Sequence, residues 1–517
     1  MDGPQTLTAA ARKRGRPYRP PADPSPYTAA AGGENERIAW LLGTTRLYAA
    51  DSAYYSRRDF VPALVAAGIP ADESRVSRWE AAGVVAPDNV IEGYERVLGL
   101  RPGQLQVVAS CLRPIAAPAP QQTSADDLHA TLDPLFDVVL DGDPSGDDWL
   151  RLSETLLAHP TVYLRSELWE QMASRLLNEL GRSVLFGYAA RLLALRRLMS
   201  LAVAQRHIVP AIGRVAIDPC APRTPDAIAL LQYVAGPYGT GVAMRLLDSD
   251  REVHRRGAAR ALAAMLASRT FDLEAMPALE AASIRLLGED ENATHIADLV
   301  RRMPGDSLER VRAAVHGHPG LALVLRTSEL VGTDPARQMA LRIAEEAVRE
   351  VTQIRGSEPD PMLERLVREA LFHSHAERRR RASMLLAFSP FRAGIASGIS
   401  TALTSGIDAY IAGRLTRLLR FCVSSDELPM LLELSSNSDP NIRMHALQAI
   451  GNVPCELDEL EASALAAQAE PWSNPRHTEV TMYALGMHDW VDVTPSSQET
   501  VGEHCSWWSA AGGRLTD

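Results

Sequence analysis

Between residues 34 and 113 the apolar positions fall three and four apart, the spacing that gathers side chains on one face of a helix. Ile38, Leu41 and Leu42 supply the inward face of a first helix, and Phe60 and Leu64 that of a second. Val76 and Trp79 do the same for a short third helix, leaving Glu73, Ser74, Arg75, Ser77 and Arg78 for its outward face and flanks. Asp72 is placed to cap that helix by accepting from its first free N–H groups. Val90, Ile91, Tyr94 and Val97 mark a fourth helix with Asp88 as its cap, and Pro102 suits the first position of a fifth. Pro62 fits the second helix only if that helix starts near Asp59, which places the proline in the first turn.

Beyond residue 127 the pattern is helix after helix to about residue 490, punctuated by Pro, Gly and Asp. A degenerate repeat runs through it. Asp250, Val253, Arg255, Arg256, Ala258 and Ala259 are echoed by Asp439, Ile442, Arg443, Ala446 and Leu447. Asp334, Met339, Ala340 and Leu341 echo them again with one residue deleted, and residues 309–314 and 378–385 more weakly. An aspartate at a helix start, a β-branched residue three on, arginine and then small apolar residues resemble the second helix of HEAT-type repeats. In such an array each helix pair buries its face only against its neighbours.

Five segments follow. Residues 1–33, rich in Pro, Gly, Ala and Arg without a helical period, are expected to be a disordered basic arm. Residues 34–113 form a compact helical block, 114–126 a proline-stiffened linker, 127–490 the repeat domain and 491–517 a poorly periodic tail. Composition agrees: hydrophobic residues make up 46% of the 517, while aromatics are only 5%, which favours helices over β-sandwiches. No run reaches the roughly 18 uncharged apolar residues of a membrane span, and no apolar segment follows the charged N-terminus. A cytoplasmic protein without membrane contact is expected.

Charge changes the picture. Residues 1–113 carry 14 Lys+Arg against 12 Asp+Glu, and the remainder 39 against 52. So acidic a body repels a phosphate backbone, which assigns any nucleic-acid contact to the N-terminal fifth. Lys13 is the only lysine, a bias of the high-GC, actinobacterial kind. It also leaves no lysine for a Walker phosphate loop elsewhere. Neither Gly-x-Ser-x-Gly nor His-Glu-x-x-His occurs, so no catalytic constellation, and no enzyme, is expected. The five cysteines (Cys111, Cys220, Cys422, Cys455, Cys505) are scattered, which speaks against a disulfide framework or a zinc site, and no cofactor is implied.

In the arm, Arg12, Lys13, Arg14, Gly15, Arg16, Pro17 and Arg19 concentrate positive charge. Gly15 has no Cβ to hold the backbone off a groove floor, and Pro17 keeps Arg16 extended. Arg14-Gly15-Arg16-Pro17 resembles the AT-hook, which implies insertion into the narrow minor groove of A·T-rich DNA. Ser74-Arg75-Val76-Ser77-Arg78-Trp79-Glu80 and the following helices resemble the lambda-repressor-like (Cro/XRE) helix-turn-helix family, over about 70 residues. That resemblance implies a recognition helix placing Glu73, Ser74, Arg75, Ser77 and Arg78 in the major groove. The segment before this helix is longer than the family usually has. Glu73 also puts a carboxylate where phosphates approach, unless it accepts from a cytosine amino group or turns to solvent.

The expected fold class is therefore all-α: an N-terminal helix-turn-helix domain followed by an α-solenoid (HEAT-like) array. The expected function is a sequence-directed transcriptional regulator of double-stranded DNA, associated with the nucleoid. Its solenoid forms a homo-oligomer or captures a protein partner. The alternatives are a HEAT-like scaffold with secondary DNA binding and a HEAT-like DNA glycosylase, the latter opposed by the body's negative charge. Arg378 to Arg381 are expected to pair with nearby Asp and Glu, and the Asp141–Asp148 stretch to be an ordinary loop. His477, His488, His504 and Cys505 fit no short metal motif, and Trp472, Trp490, Trp507 and Trp508 are expected to close the array or meet a partner.

Overall fold

The computed structural model describes residues 19–29, 32–113, 125–289, 294–315, 330–352, 360–405, 407, 409–468, 475–491 and 499–515. Among them are 26 α-helices and no strand. The N-terminal block comprises α1 (Glu34–Leu47), α2 (Arg57–Ala66), α3 (Glu73–Glu80), α4 (Asp88–Val97) and α5 (Gln104–Leu112). A first run follows: α6 (Ala125–Asp141), α7 (Gly146–Ala158), α8 (Ser166–Arg182), α9 (Leu185–Met199), α10 (Ala202–Ile217) and α11 (Thr224–Ala229). It continues through α12 (Gly236–Leu247), α13 (Glu252–Ser268), α14 (Met276–Glu289), α15 (Thr294–Val300) and α16 (Gly305–Val315). The second run is α17 (Asp334–Thr352), α18 (Pro361–Phe372), α19 (Ala376–Ala387), α20 (Arg392–Leu403) and α21 (Ala409–Cys422). It ends with α22 (Leu428–Leu434), α23 (Pro440–Ile450), α24 (Glu459–Gln468), α25 (Pro475–Gly486) and α26 (Glu499–Ala511).

Helices pack on their next-but-one neighbours, α7 on α9, α11 on α13, α13 on α15, α21 on α23 and α23 on α25. That is the signature of a solenoid-like array, each helix burying one stripe against the layer before it and one against the layer after. Small residues set the closest crossings: a Cβ on Gly257 would meet Ile228 Cβ at 2.6 Å, and one on Gly394 the Ala347 Cα at 2.6 Å.

The two runs curve towards each other. Arg223, ahead of α11, donates to Asn452 Oδ1 (2.9 Å) and Tyr483 Oη (2.5 Å), and Leu515 N donates to Arg182 O (3.2 Å). Further along, Asp298 of α15 accepts from Arg379 of α19 at 2.8 Å. The array thus closes around a central cavity of about 1430 Å³, walled by α9, α11, α13 and α15 on one side and α19, α21, α23 and α25 on the other.

Several boundaries depart from the sequence reading. Residues 491–517 are not an aperiodic tail: α26 packs on α25, with Trp508 buried over Gly486 and Trp490 Nε1 donating to Leu457 O (2.9 Å). Trp507 stacks edge-on against Trp508, while Trp472 lies outside the described residues. The linker's last two residues, Ala125 and Asp126, already belong to α6. Asp439 caps α23 as expected, but Asp250 does not cap α13, and the residue at the start of α17 that accepts an amide is Thr333. The repeat echoes fall on cavity-lining α13, α19 and α23 but also on α16 and α17, which do not line it. They mark a recurrent helix-start chemistry, not a constant register.

Of the Asp141–Asp148 stretch only residues 142–145 are inter-helix loop: Asp141 ends α6, and Asp147 and Asp148 lie in the first turn of α7, where Asp148 completes a capping box with Ser145. Among the described residues no single helix is long and apolar enough to cross a membrane, and no cluster of His, Cys, Asp or Glu could hold a metal ion.

Candidate nucleic-acid interface

The N-terminal block is organised around one carboxylate that the sequence reading did not single out. Glu80, the last residue of α3, is fully buried and accepts from Arg46 Nε (2.5 Å) and Nη2 (2.8 Å), Arg57 Nε (3.0 Å) and Tyr94 Oη (3.1 Å). Arg46 also donates to the Tyr54 and Tyr55 carbonyls at 2.8 Å. The extra length between α1 and α3, which holds a 3-10 turn at Ser52–Tyr55, therefore supplies acceptors to this centre. Four elements converge on Glu80, and their agreement fixes where α3 points. Burial, then the Glu80 charge, holds the Tyr94 phenol well above its ordinary range, so it stays a donor.

Around that centre the apolar positions behave as their spacing requires. Ile38, Leu41, Leu42, Phe60, Leu64, Val76 and Trp79 are buried, and Phe60 meets Tyr94 edge-on at 4.9 Å. Asp72 caps α3, its Oδ1 accepting from Arg75 N at 2.7 Å. Three details differ. Pro62 is the sixth residue of α2, beyond its first turn; it is exposed, so the carbonyl that loses its amide partner faces water. Asp88 opens α4 without capping it and accepts from Arg113 Nη1 (3.0 Å). Pro102 lies in the turn before α5, whose free amides are instead satisfied by buried Glu95: Leu105 N at 2.5 Å, Gln106 N at 2.9 Å, and Gly103 N at 2.8 Å.

The outward face of α3 is open. Glu73, Ser74, Arg75 and Arg78 are exposed and Ser77 half-buried. Arg75 Nη1 donates to Pro70 O (2.9 Å), which draws its guanidinium back along the helix start. The Arg78 side chain makes no hydrogen bond or ion pair among the described residues. Arg58, which the sequence reading passed over, is exposed in the first turn of α2, the helix before α3. Its position at a helix start, where free amides and positive charge combine, is the signal that would have found it. Of the arm, Arg12, Lys13, Arg14, Gly15, Arg16 and Pro17 lie outside the described residues, while Arg19 is exposed.

Residues 19–29 are not the free arm the composition suggests. Asp23, buried, accepts from Arg37 Nη2 (2.6 Å) and Arg378 Nη2 (3.2 Å), and Tyr27 lies under the guanidiniums of Arg365 and Arg368. Nor does the block stand apart from the array. Arg37 Nη2 reaches Glu369 of α18 at 2.7 Å, Trp40 stacks on Phe391 at 6.0 Å, and Trp40 Nε1 donates to Asp360 at 2.5 Å. On its other side α5 sets Val107 and Cys111 against Phe186, Leu193 and Met384. The block is wedged between the two runs, sharing one hydrophobic core with residues 331–508. Arg378 to Arg381 find carboxylate partners as expected: Asp23 and Glu369, Asp298, and Glu377 twice.

Burial pushes the Asp360 carboxyl up to about 6, against the pull of hydrogen bonds from Trp40 and from the Met362 and Leu363 amides that it caps. A carboxyl raised in the folded state holds its proton there more tightly than in the unfolded chain. Its contribution to stability therefore declines as pH rises from about 4 to 6. Asp360→Asn removes the buried charge and keeps one oxygen for the Met362 and Leu363 amides, but it replaces the other oxygen, which accepts from Trp40 Nε1, with an NH2 donor. The lost acceptor costs the same at both pH values, so relative to the parent the variant is expected to gain about 1–3 kcal/mol on going from pH 4 to pH 7. Denaturant titrations of both proteins at the two pH values check this; an equal offset at each would refute it.

The chain matches no known family model and none of the curated proteins. Among solved structures, the crystal structure of an engineered protein aligns at 15% identity over 83% of this chain and 100% of that one. Its TM-score of 0.20 carries no argument about fold or function.

Proposed function

We propose that the chain is a sequence-directed DNA-binding protein acting as a transcriptional regulator, with α3 as its major-groove helix and the basic arm in the adjacent minor groove. One observation carries this reading: the outward face of α3 keeps Arg75 and Arg78 exposed while Glu80, at its buried end, ties the helix to Arg46, Arg57 and Tyr94. Base-reading arginines have to be rigid at their roots and available at their tips; Arg78 meets both conditions, and Arg75 does so on releasing its exposed contacts to Pro70 O and Asp72. Arg58 contributes a phosphate contact at the start of α2. The helix-turn-helix and AT-hook resemblances and the HEAT-like echoes support the same reading. So does the charge contrast between the N-terminal fifth and the body. The array serves as a homo-oligomerisation or partner-binding surface that joins weak DNA contacts through effective concentration.

Selection of bound sequences from a random duplex library by the full chain, followed by mobility-shift titration, tests this. Arg75→Ala is expected to relax preference at one base pair, at about 1–3 kcal/mol of lost discrimination. The double change Arg14→Ala, Arg16→Ala is expected to weaken all duplexes alike and to lower the salt slope by about 1–2. Absence of any duplex affinity at low ionic strength would refute the function itself.

A further inference from the structure

The central cavity is cationic inside an acidic protein. Ten arginines line it against six carboxylates, in a chain whose net charge is −11. Pairing consumes only part of that charge. Asp226 takes Arg260, Glu252 takes Arg256, Asp298 takes Arg379, and Glu377 takes both Arg380 and Arg381. Five others have no carboxylate partner among the described residues. Arg223 and Arg420 donate to side-chain amide oxygens, Arg414 to Tyr410 Oη (2.8 Å), and Arg302 to His375 Nδ1 (2.5 Å). The Arg417 side chain makes no hydrogen bond or ion pair among the described residues.

Arg414, Arg417 and Arg420 stand three residues apart on α21, all lining the cavity, with Arg379 of α19 near enough to act on Arg417. Two of these guanidiniums carry a buried nitrogen with no acceptor: Arg379 Nε and Arg414 Nη1. Burial first, then Arg379, Arg420 and Arg414, hold Arg417 well below the usual arginine range, while the nearby His445 is held well below its own. Guanidiniums keep their charge in proteins, so the repulsion is standing. A row of under-partnered forks in an enclosed space is complementary to an anion with several oxygens in a plane or tetrahedron.

We propose that the cavity is a binding site for a small, multiply charged phosphate compound, held by Arg379, Arg414, Arg417 and Arg420. Its volume of about 1430 Å³ exceeds the roughly 300–1,000 Å³ of an ordinary ligand pocket, so a nucleotide fits with its phosphates on these residues. The site is independent of the α3 surface and stands or falls without it.

Isothermal titration of the full chain at low ionic strength with ATP, ADP and inorganic tripolyphosphate tests the proposal. Saturable binding near one site per chain is expected. Equal affinity for tripolyphosphate assigns the recognition to phosphate alone, and a preference for ATP assigns part of it to the base and sugar; both support the site. Arg417→Gln is expected to weaken binding by at least about tenfold. The same change raises the thermal midpoint of the ligand-free protein, because it removes a charge repelled by its neighbours. Arg14→Ala with Arg16→Ala must leave binding unchanged, which separates the cavity from the arm. Should Arg417→Gln fail to fold, Arg414→Gln carries the same expectation of weakened binding. No binding of any of the three phosphates, undiminished binding by the folded variant, or binding only of an acidic peptide or a single-stranded oligonucleotide would overturn the proposal.

Discussion

Glu369→Ala is expected to cost about 3–5 kcal/mol and to loosen the N-terminal block from the array. Glu369 is fully buried and receives Arg37 (2.7 and 2.9 Å), Arg378 (2.9 Å) and Arg365 (3.0 Å). Its companion Asp23, also buried, takes the same three arginines, so two carboxylates are shared among three guanidiniums. Burial alone would raise both carboxyls, but Arg37 and Arg378 hold Glu369 below the ordinary range, and the Ser25 hydroxyl followed by Arg37 holds Asp23 below it. With Glu369 gone, one carboxylate faces three buried cations, and the loss of a single partner from such a cluster strands charge without solvent. Chemical denaturation of the full chain measures the cost. Limited proteolysis reads the loosening as new cleavage between residues 19 and 34. A stability within about 1 kcal/mol of the parent would show that the cluster relaxes with water, contrary to this account.

Glu80→Ala is expected to be as severe within the block and to remove DNA binding without touching a DNA-facing residue. It leaves Arg46, about 1% exposed, with two backbone carbonyls in place of a bidentate carboxylate, and it frees the hydroxyl of Tyr94. The expected loss is again about 3–5 kcal/mol. Glu80→Gln, which retains one acceptor and the shape, should lose less. Mobility shift of the two variants, against circular dichroism of each, separates the outcomes: the array stays helical while the duplex complex disappears. Full duplex affinity in a folded Glu80→Ala protein would show that α3 keeps its place by apolar packing alone.

Much of the fold was readable. The three-and-four spacing of Ile38, Leu41, Phe60, Leu64, Val76 and Trp79 identified the buried face of the block, because burial of apolar side chains is local to each helix. Asp72 and Asp439 announced their caps, but Glu95 did not, since it satisfies amides eight to eleven residues away. The same distance hid the polar centres. Glu80 meets Arg46 across 34 positions, and Glu369 meets Arg37 across 332. No period in a sequence reports pairings of that separation. The cavity was hidden by averaging: a body with 52 acidic and 39 basic residues reads as anion-repelling, yet folding sends many of its arginines inward. The assignment of every nucleic-acid contact to the N-terminal fifth rested on that average and reaches no further than the outer surface.

The wedge between the two runs has a consequence for how any duplex would be read. A reading head on a slack tether tolerates half-sites at many spacings, whereas one packed into the helical array does not. Two such copies would engage only operators whose halves match the separation and rotation fixed by the pair, so that inserting a few base pairs at the centre of a site should abolish occupancy while leaving each half intact.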